Sequence, residues 1–141
     1  MPGDIGGALR RLVAGRAFYQ CEYCLLSEDD SFSPHQVDHI VSRKHGGLSV
    51  PSNLAYACLR CNTWKGSDIA SVEPPTCRLT PLYNPRQQRW ADHFQLEDAI
   101  IEPLTAEGVV TARLLRLNLD QRVAERRLLI AIGRYPRSFS A

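Results

Sequence analysis

Residues 35–41 read His35-Gln-Val-Asp-His-Ile-Val41 and lie between two Cys-x-x-Cys pairs. The first pair is Cys21/Cys24 and the second is Cys58/Cys61. Two such turns present four thiolates, which is the ligand set of a structural zinc ion with tetrahedral coordination. The run between the pairs adds an imidazole and a carboxylate. The pattern therefore predicts a zinc-stapled unit that contains a second site of different chemistry.

The composition is that of a soluble globular protein. The chain has 141 residues, of which 44% are hydrophobic and 23% are charged, and its formal net charge is +2. This length suits one domain with a modest core, and so small a charge does not by itself mark a nucleic-acid binder. No apolar run reaches the roughly 18–20 residues that cross a bilayer, and the N-terminal residues do not resemble a secretory signal. We therefore expect a cytoplasmic protein without a membrane segment.

The cysteine pattern favours a metal over disulfides, because paired thiols stay reduced in the cytosol. We predict that Cys21, Cys24, Cys58 and Cys61 bind one structural Zn²⁺. Residues 25–57 separate the two pairs, so the ion would close a large loop and add on the order of 10 kcal/mol to folding. Four ordinary buried thiols are the alternative. A thiol–disulfide enzyme fits poorly, since neither pair lies in a βαβ pattern.

The first half of the chain predicts a helix, two strands and a second helix. Apolar spacing indicates a helix from Asp4 to about Tyr19. Residues rich in β-formers predict strands at 35–41 and 53–58, joined by a loop that contains Gly46 and Gly47. Residues 59–65 then lead from the second cysteine pair into a helix that Gly66 would weaken.

The second half, beyond Pro74 and Pro75, predicts a mostly helical C-terminal extension. We expect a short helix that contains Trp90 and Phe94, then a strand at 99–103. Thr105 is a suitable N-cap for a helix to about Leu117. Asp120 can cap a last helix that ends before Gly133. Residues 1–73 would form the metal-bearing core and 74–141 the extension, packed together as a single compact domain.

A second metal site is predicted around Asp38, His39 and Asn62. A hard cation such as Mg²⁺ takes oxygen ligands, which a carboxylate and an amide can supply. The imidazole has an ordinary pKa near 6.5, which suits a general base at neutral pH. Successive strand residues point to opposite faces. Asp38 and His39 can therefore share one site only if the strand twists or bulges.

These motifs together resemble the HNH endonuclease family, which belongs to the His-Me finger (ββα-metal) nucleases. The resemblance covers about residues 8–70 and rests on Cys21-x2-Cys24, Val37-Asp-His-Ile40, Gly46-Gly47, Asn53-Leu54 and Cys58-x2-Cys-Asn-x2-Lys65. It implies an α+β fold with a ββα-metal core stapled by a four-cysteine zinc site, behind an N-terminal helix. The four cysteines match the zinc-bearing branch.

The resemblance also implies residue roles. His39 would be the general base and Asp38 a ligand of the catalytic ion, Mg²⁺ or another divalent ion such as Mn²⁺. Asn53 would hold the loop and orient the base. Asn62 would be the helix-borne ligand, a position that is often histidine in the family. Ser42 stands where many relatives have proline.

The implied function is metal-dependent hydrolysis of DNA phosphodiester bonds, which leaves a 3′-hydroxyl and a 5′-phosphate. Double-stranded DNA is the expected partner, with phosphate contacts from Arg43, Lys44, Arg60 and Lys65. RNA as substrate, the oligomeric state, the cut preference and nicking against double-strand cleavage stay open. The alternative is a non-catalytic zinc-stapled module that binds nucleic acid or protein. Arg122, Arg126 and Arg127 on the last helix indicate a solvated face, or else a track along a DNA backbone.

Overall fold

A computed structural model describes residues 5–137 of the chain. Within them the helices are α1 Gly7–Arg16, α2 Leu59–Lys65, α3 Trp90–His93, α4 Ala106–Leu114 and α5 Asp120–Ala131. The strands are β1 Gln36–His39, β2 Leu54–Ala57, β3 Ala70–Val72, β4 Leu79–Pro81, β5 Phe94–Glu97 and β6 Ile100–Pro103. They pair in sequence order as three separate antiparallel hairpins. The mixture of helices and small antiparallel sheets confirms the α+β class.

The hairpin β1–β2 leads directly into α2, as predicted. Each residue of β1 pairs with one residue of β2, from Gln36 opposite Ala57 to His39 opposite Leu54. A bulge, one of the two distortions expected at Asp38 and His39, is therefore absent from this pair, and β1 ends at His39. The connection contains two short 3-10 turns, Arg43–His45 and Pro51–Asn53. Helix α2 begins after Cys58 and ends at Gly66, where φ is 52°.

Helix α1 covers the outer face of this hairpin. Val13 and Ala14 are buried in one apolar cluster with Leu54 and Tyr56 of β2. The helix ends at Arg16 and not at the predicted Tyr19, because Phe18 and Tyr19 adopt left-handed backbone angles. Those angles turn the chain toward the first cysteine pair. The predicted start at Asp4 lies outside the described residues.

The C-terminal extension contains more strand than the sequence predicted. Three strands were not expected, namely β3 just before the extension and β4 and β5 within it. They are only three or four residues long, which is too short for alternation to register in the sequence. Phe94 opens β5 instead of continuing the helix of Trp90. The predicted strand at 99–103 is confirmed as β6.

The last two helices form where the sequence predicted them, but α4 ends at Leu114 and not near Leu117, and one cap differs. The Thr105 hydroxyl oxygen accepts a hydrogen bond from the Gly108 amide at 3.0 Å, which confirms Thr105 as the N-cap of α4. In α5, Asp120 is the first helical residue, and Leu119 occupies the N-cap position without a side-chain bond. Asp120 still lies in the first turn, where its charge favours the helix dipole.

One buried core joins the two halves of the chain. The four paired cysteines belong to the same cluster as residues from the C-terminal half, namely Tyr83, Phe94, Ile101, Leu115 and Leu117. The four predicted zinc ligands are thus packed against the C-terminal extension and not exposed at one end. Among the described residues, every helix is too short or too polar to cross a membrane.

Candidate metal centres and active site

The four predicted zinc ligands converge at one buried point. The Sγ atoms of Cys21, Cys24, Cys58 and Cys61 all lie within 4.8 Å of one another. Cys24 and Cys58, one from each pair, have their sulfurs 3.7 Å apart. Within each pair, the amide of the second cysteine donates to the sulfur of the first at 3.4 Å. Four buried sulfurs in this arrangement fit the tetrahedral shell of zinc, and leave no open position for catalysis.

Arg122 lies directly against these sulfurs. Its Nη2 is 3.2 Å from Cys61 Sγ and 3.9 Å from Cys58 Sγ, while its Nη1 donates to the carbonyl of Leu115 at 2.9 Å. The side chain is buried, and so is Arg126, so these two arginines of α5 do not form a solvated face. A four-thiolate zinc site carries excess negative charge. Arg122 supplies a buried positive charge beside it.

The second predicted site is an open pocket of about 320 Å³ beside α2. Asp38, His39 and Asn62 all line it, together with Arg43 and Gly66. Asp38 is buried and His39 is half-buried. Because β1 ends at His39, the two neighbours reach one pocket without a bulge.

The Asp38 carboxylate is held at both oxygens. Lys65 Nζ lies 3.2 Å from Oδ1, and the Tyr23 hydroxyl donates to Oδ2 at 2.8 Å. Burial raises the pKa of Asp38 above its ordinary value, whereas the Lys65 charge and the Tyr23 hydrogen bond oppose that rise. Burial and the Asp38 charge together raise the pKa of Tyr23 well above its ordinary value, so its hydroxyl is a donor.

The His39 imidazole is bonded to a residue that the sequence did not single out. Its Nε2 lies 2.8 Å from Ser49 Oγ. Burial lowers the pKa of His39, as do the nearby positive charges of Arg43 and Lys65, and the Asp38 charge only partly offsets them. The ring is therefore neutral at pH 7, which is the form that accepts a proton.

Asn53 closes the loop between the strands. Its Oδ1 accepts from the Val41 amide, and its Nδ2 donates to the carbonyls of Val41 and Leu48, each at 2.9 Å. Gly47 lies inside this closure, where a Cβ would overlap the Val41 carbonyl and crowd Asn53 Nδ2. These three bonds all go to the backbone of the loop that carries Ser49. Any influence of Asn53 on the imidazole would therefore pass through this loop and Ser49.

The amide nitrogen of the Asn62 side chain is already hydrogen-bonded within the protein. Its Nδ2 donates to Gln36 Oε1 at 2.8 Å, which leaves Oδ1 as the atom for a cation. Asp38 retains lone pairs beyond its two hydrogen bonds. A carboxylate and an amide oxygen beside one pocket fit a hard divalent ion that keeps several waters.

Two of the predicted phosphate contacts are engaged elsewhere. Lys65 is only 1% exposed, and its ammonium also donates to the carbonyls of His39 and Ile40 at 3.0 and 3.2 Å. Arg60 forms a bidentate pair with Glu125 of α5 at 2.9 and 3.0 Å. In this structure neither side chain is presented to a substrate as the sequence led us to expect. Arg43 and Lys44 are exposed on the turn after β1.

Comparison with known families identifies this region. Residues 21–68 match the HNH endonuclease family model. The match covers both cysteine pairs, β1, β2 and α2, and we refer to these residues as the HNH segment. The resemblance drawn from the sequence is confirmed, and the four-cysteine cluster fits the zinc-bearing branch of the family. Comparisons with curated proteins and with solved structures give no significant match.

Three residues contact predicted site residues in a way that the sequence did not indicate. They are Tyr23, Ser49 and Arg122. Each touches a predicted site residue across 10 to 61 positions of sequence. Their residue types are ordinary for loops and helices, so composition and spacing carried no signal. Only for Tyr23 did the sequence offer a signal, since it lies between the predicted zinc ligands Cys21 and Cys24.

Proposed function

We propose that this chain is a divalent-metal-dependent DNA endonuclease of the HNH type. The observation that carries the proposal is the shared pocket of Asp38, His39 and Asn62 inside the HNH segment. An imidazole beside two oxygen donors is the equipment for hydrolysing a phosphodiester with one metal ion. A zinc-stapled binding module would need only the cysteines.

In the proposed reaction, His39 takes a proton from a water molecule through the ring nitrogen that Ser49 does not bind, Nδ1. The resulting hydroxide attacks phosphorus in line with the 3′-oxygen and the P–O3′ bond breaks. The leaving 3′-oxygen takes a proton from solvent water, so the products are a 3′-hydroxyl and a 5′-phosphate. Asp38 and Asn62 would hold Mg²⁺ or Mn²⁺. When bound, that ion stabilises negative charge on the phosphate and on the leaving oxygen.

DNA would reach the pocket across the turn Arg43–His45. Arg43 lines the pocket and Lys44 is exposed next to it. Positive side chains at such a rim bind phosphate oxygens, and their contribution falls as salt rises. Because the net charge of the chain is small, this local cluster and not a global field would draw in the substrate.

The direct test is nicking of supercoiled plasmid in Mg²⁺ or Mn²⁺ by the zinc-loaded protein. We expect His39→Ala to lose on the order of 10²–10⁴-fold in rate, the usual contribution of a general base. Ser52→Ala is the control and should cut normally, since Ser52 is exposed on the same loop but lies outside the turn Arg43–His45.

Ends of the cut DNA supply a second readout. A ligase should reseal the nick without prior phosphatase or kinase treatment, because the products carry a 3′-hydroxyl and a 5′-phosphate. Equal cutting by wild type and His39→Ala would refute the assignment of His39. Binding of DNA without cleavage in any divalent ion would instead favour a non-catalytic module.

A further inference from the structure

Tyr23 occupies an unusual place for a residue inside a zinc knuckle. It lies between the ligands Cys21 and Cys24, yet its side chain points toward the other site, and it is only 1% exposed. Its ring packs edge-on against Tyr83, with centroids 6.4 Å apart. Its backbone carbonyl accepts a hydrogen bond from Trp90 Nε1 at 2.9 Å. The ring position is therefore fixed from several directions.

The only polar atom of this side chain meets the second metal site. The Tyr23 hydroxyl donates to Asp38 Oδ2 at 2.8 Å, in a buried contact. The other oxygen of Asp38 meets Lys65, which follows the second cysteine pair on α2. A carboxylate bonded at both oxygens has one preferred rotation about its terminal bond. Both of the groups that fix it are carried by the segments that hold the zinc ligands.

We propose that Tyr23 is a positioning residue that couples the zinc knuckle to the divalent-ion site by orienting the Asp38 carboxylate. The inference rests on the proposed function, in which Asp38 is a ligand of that ion. It assigns the first Cys-x-x-Cys turn a role beyond stability. The Cys21–Cys24 turn fixes the position of the Tyr23 phenol, and the phenol orients the Asp38 carboxylate.

The coupling has a thermodynamic direction. A pre-oriented carboxylate loses less rotational freedom when it binds a cation, which raises affinity. Groups that hydrogen-bond a metal ligand typically contribute about 10–100-fold to metal affinity. Loss of the phenol hydroxyl should therefore weaken divalent-ion binding, while the four thiolates keep their zinc.

The test is Tyr23→Phe in the full-length, zinc-loaded protein, with Mn²⁺ affinity measured by electron paramagnetic resonance in the absence of DNA. We expect a Kd for Mn²⁺ about 10-fold higher or more, with one zinc per chain retained. Tyr83→Phe is the matched control. It deletes a hydroxyl from the same core that makes only a long 3.5 Å bond to the Gln88 carbonyl, and it should bind Mn²⁺ normally.

Asp38→Ala separates this inference from the function on which it rests. If Asp38→Ala weakens Mn²⁺ binding and Tyr23→Phe does not, the positioning role is overturned and the proposed function stands. If Asp38→Ala binds Mn²⁺ like wild type, Asp38 is not a ligand and both fall.

A second measurement uses the unmodified sequence, so it holds even if Tyr23→Phe fails to fold. Protein labelled with ¹³C at the tyrosine Cζ is titrated with Mg²⁺ and followed by nuclear magnetic resonance. The Tyr23 signal should shift as Asp38 binds the ion, and the Tyr83 signal should stay in place. A Tyr23 signal unmoved at saturating Mg²⁺ would overturn the inference.

Discussion

Neighbouring side chains decide how the pocket residues are presented. Asp38 and His39 were recognisable from the sequence, but their orientation comes from Lys65, Tyr23 and Ser49. Lys65 sits where a phosphate contact was expected and instead pairs with Asp38 within the fold. A charged residue in a motif thus has a structural task here that its type alone does not reveal.

The contact between Ser49 and His39 predicts a graded effect on catalysis. Ser49→Ala removes the hydrogen bond to Nε2, which is worth about 0.5–1.5 kcal/mol, so we expect the nicking rate to fall roughly 3–10-fold. The KM for DNA should not change, because Ser49 acts through the imidazole. Ser52→Ala, an exposed serine of the same loop, is the control. A normal rate for Ser49→Ala would show that the imidazole is oriented by other means.

Lys65 and Lys44, the two lysines of the chain, should behave oppositely when replaced. Lys65→Met leaves the buried Asp38 charge without its partner. We therefore expect the free energy of unfolding to drop by about 3–5 kcal/mol. Lys44→Met should leave stability unchanged and weaken DNA binding, with a flatter salt dependence. Chemical denaturation and DNA titration at several salt concentrations measure both. A stable Lys65→Met protein with weakened DNA binding would restore Lys65 as a phosphate contact.

At the scale of elements, the loop 41–53 between β1 and β2 positions the groups that surround His39. The Asn53 side chain binds the loop backbone at Val41 and Leu48, and Ile40 donates its amide to the Asn53 carbonyl at 2.9 Å. Gly46 has φ 87°, a value that glycine adopts without strain. These contacts close the loop, and the closed form carries Ser49 to His39.

Gly47 is the position where this closure is most sensitive. Gly47→Ala places a methyl group into the Val41 carbonyl and the Asn53 amide, and such overpacking costs about 1–3 kcal/mol. We expect a lower melting temperature, faster amide exchange in residues 41–53 and reduced nicking, with zinc retained. Gly15→Ala in α1, where a Cβ meets nothing within 4 Å, should be neutral or stabilising. Unchanged exchange in the loop of Gly47→Ala would contradict the closed form.

At the scale of the whole molecule, the four-cysteine cluster joins the HNH segment to the C-terminal extension. Arg122 reaches the sulfurs from α5, and Tyr135 Oη donates to the Cys24 carbonyl at 2.7 Å. Tyr83, Phe94 and Leu117 fill the same core as the cysteines. Side chains of the extension thus enclose the four-cysteine cluster together with the HNH segment.

Arg122 should control how tightly zinc is held. Arg122→Met keeps the bulk of the side chain but removes the buried positive charge beside the thiolates. We expect Arg122→Met to lose zinc at a chelator concentration at least about 10-fold lower than the concentration that wild type requires. Arg127→Met on the exposed side of α5 is the control and should retain zinc normally. Equal zinc retention by both variants would show that the charge of Arg122 is not needed.

The shared core also predicts that residues 1–73 do not fold alone. Without the extension, Cys21, Cys24 and Cys58 would lose the apolar side chains that bury them. Zinc titration and the dispersion of amide resonances test this with the isolated fragment. A well-dispersed spectrum with wild-type zinc affinity would show instead that the HNH segment is an independent unit.

Much of the HNH segment could be predicted because its signals are local. Cysteine spacing and β-forming runs are each recognisable within a few residues, so the four clustered cysteines, β1, β2 and α2 were all predicted. The Thr105 cap of the extension emerged for the same reason. The hairpin β3–β4 did not, because its stability comes from packing against α4 and not from its own three-residue strands. The roles of Asp38, Asn53 and Asn62 in catalysis and metal binding were predicted from the resemblance and stay proposals.

The amino-acid sequence by itself determined which atoms are available: four thiolates, an imidazole, a carboxylate and two amides at fixed separations along the chain. Only the tertiary structure decided what surrounds them. Lys65 turns inward to Asp38, Tyr23 leaves its knuckle for the same carboxylate, and Arg122 crosses from the last helix to the sulfurs. The physical reason is burial. A charge or hydroxyl removed from water must find a partner, and distant parts of the chain supply it.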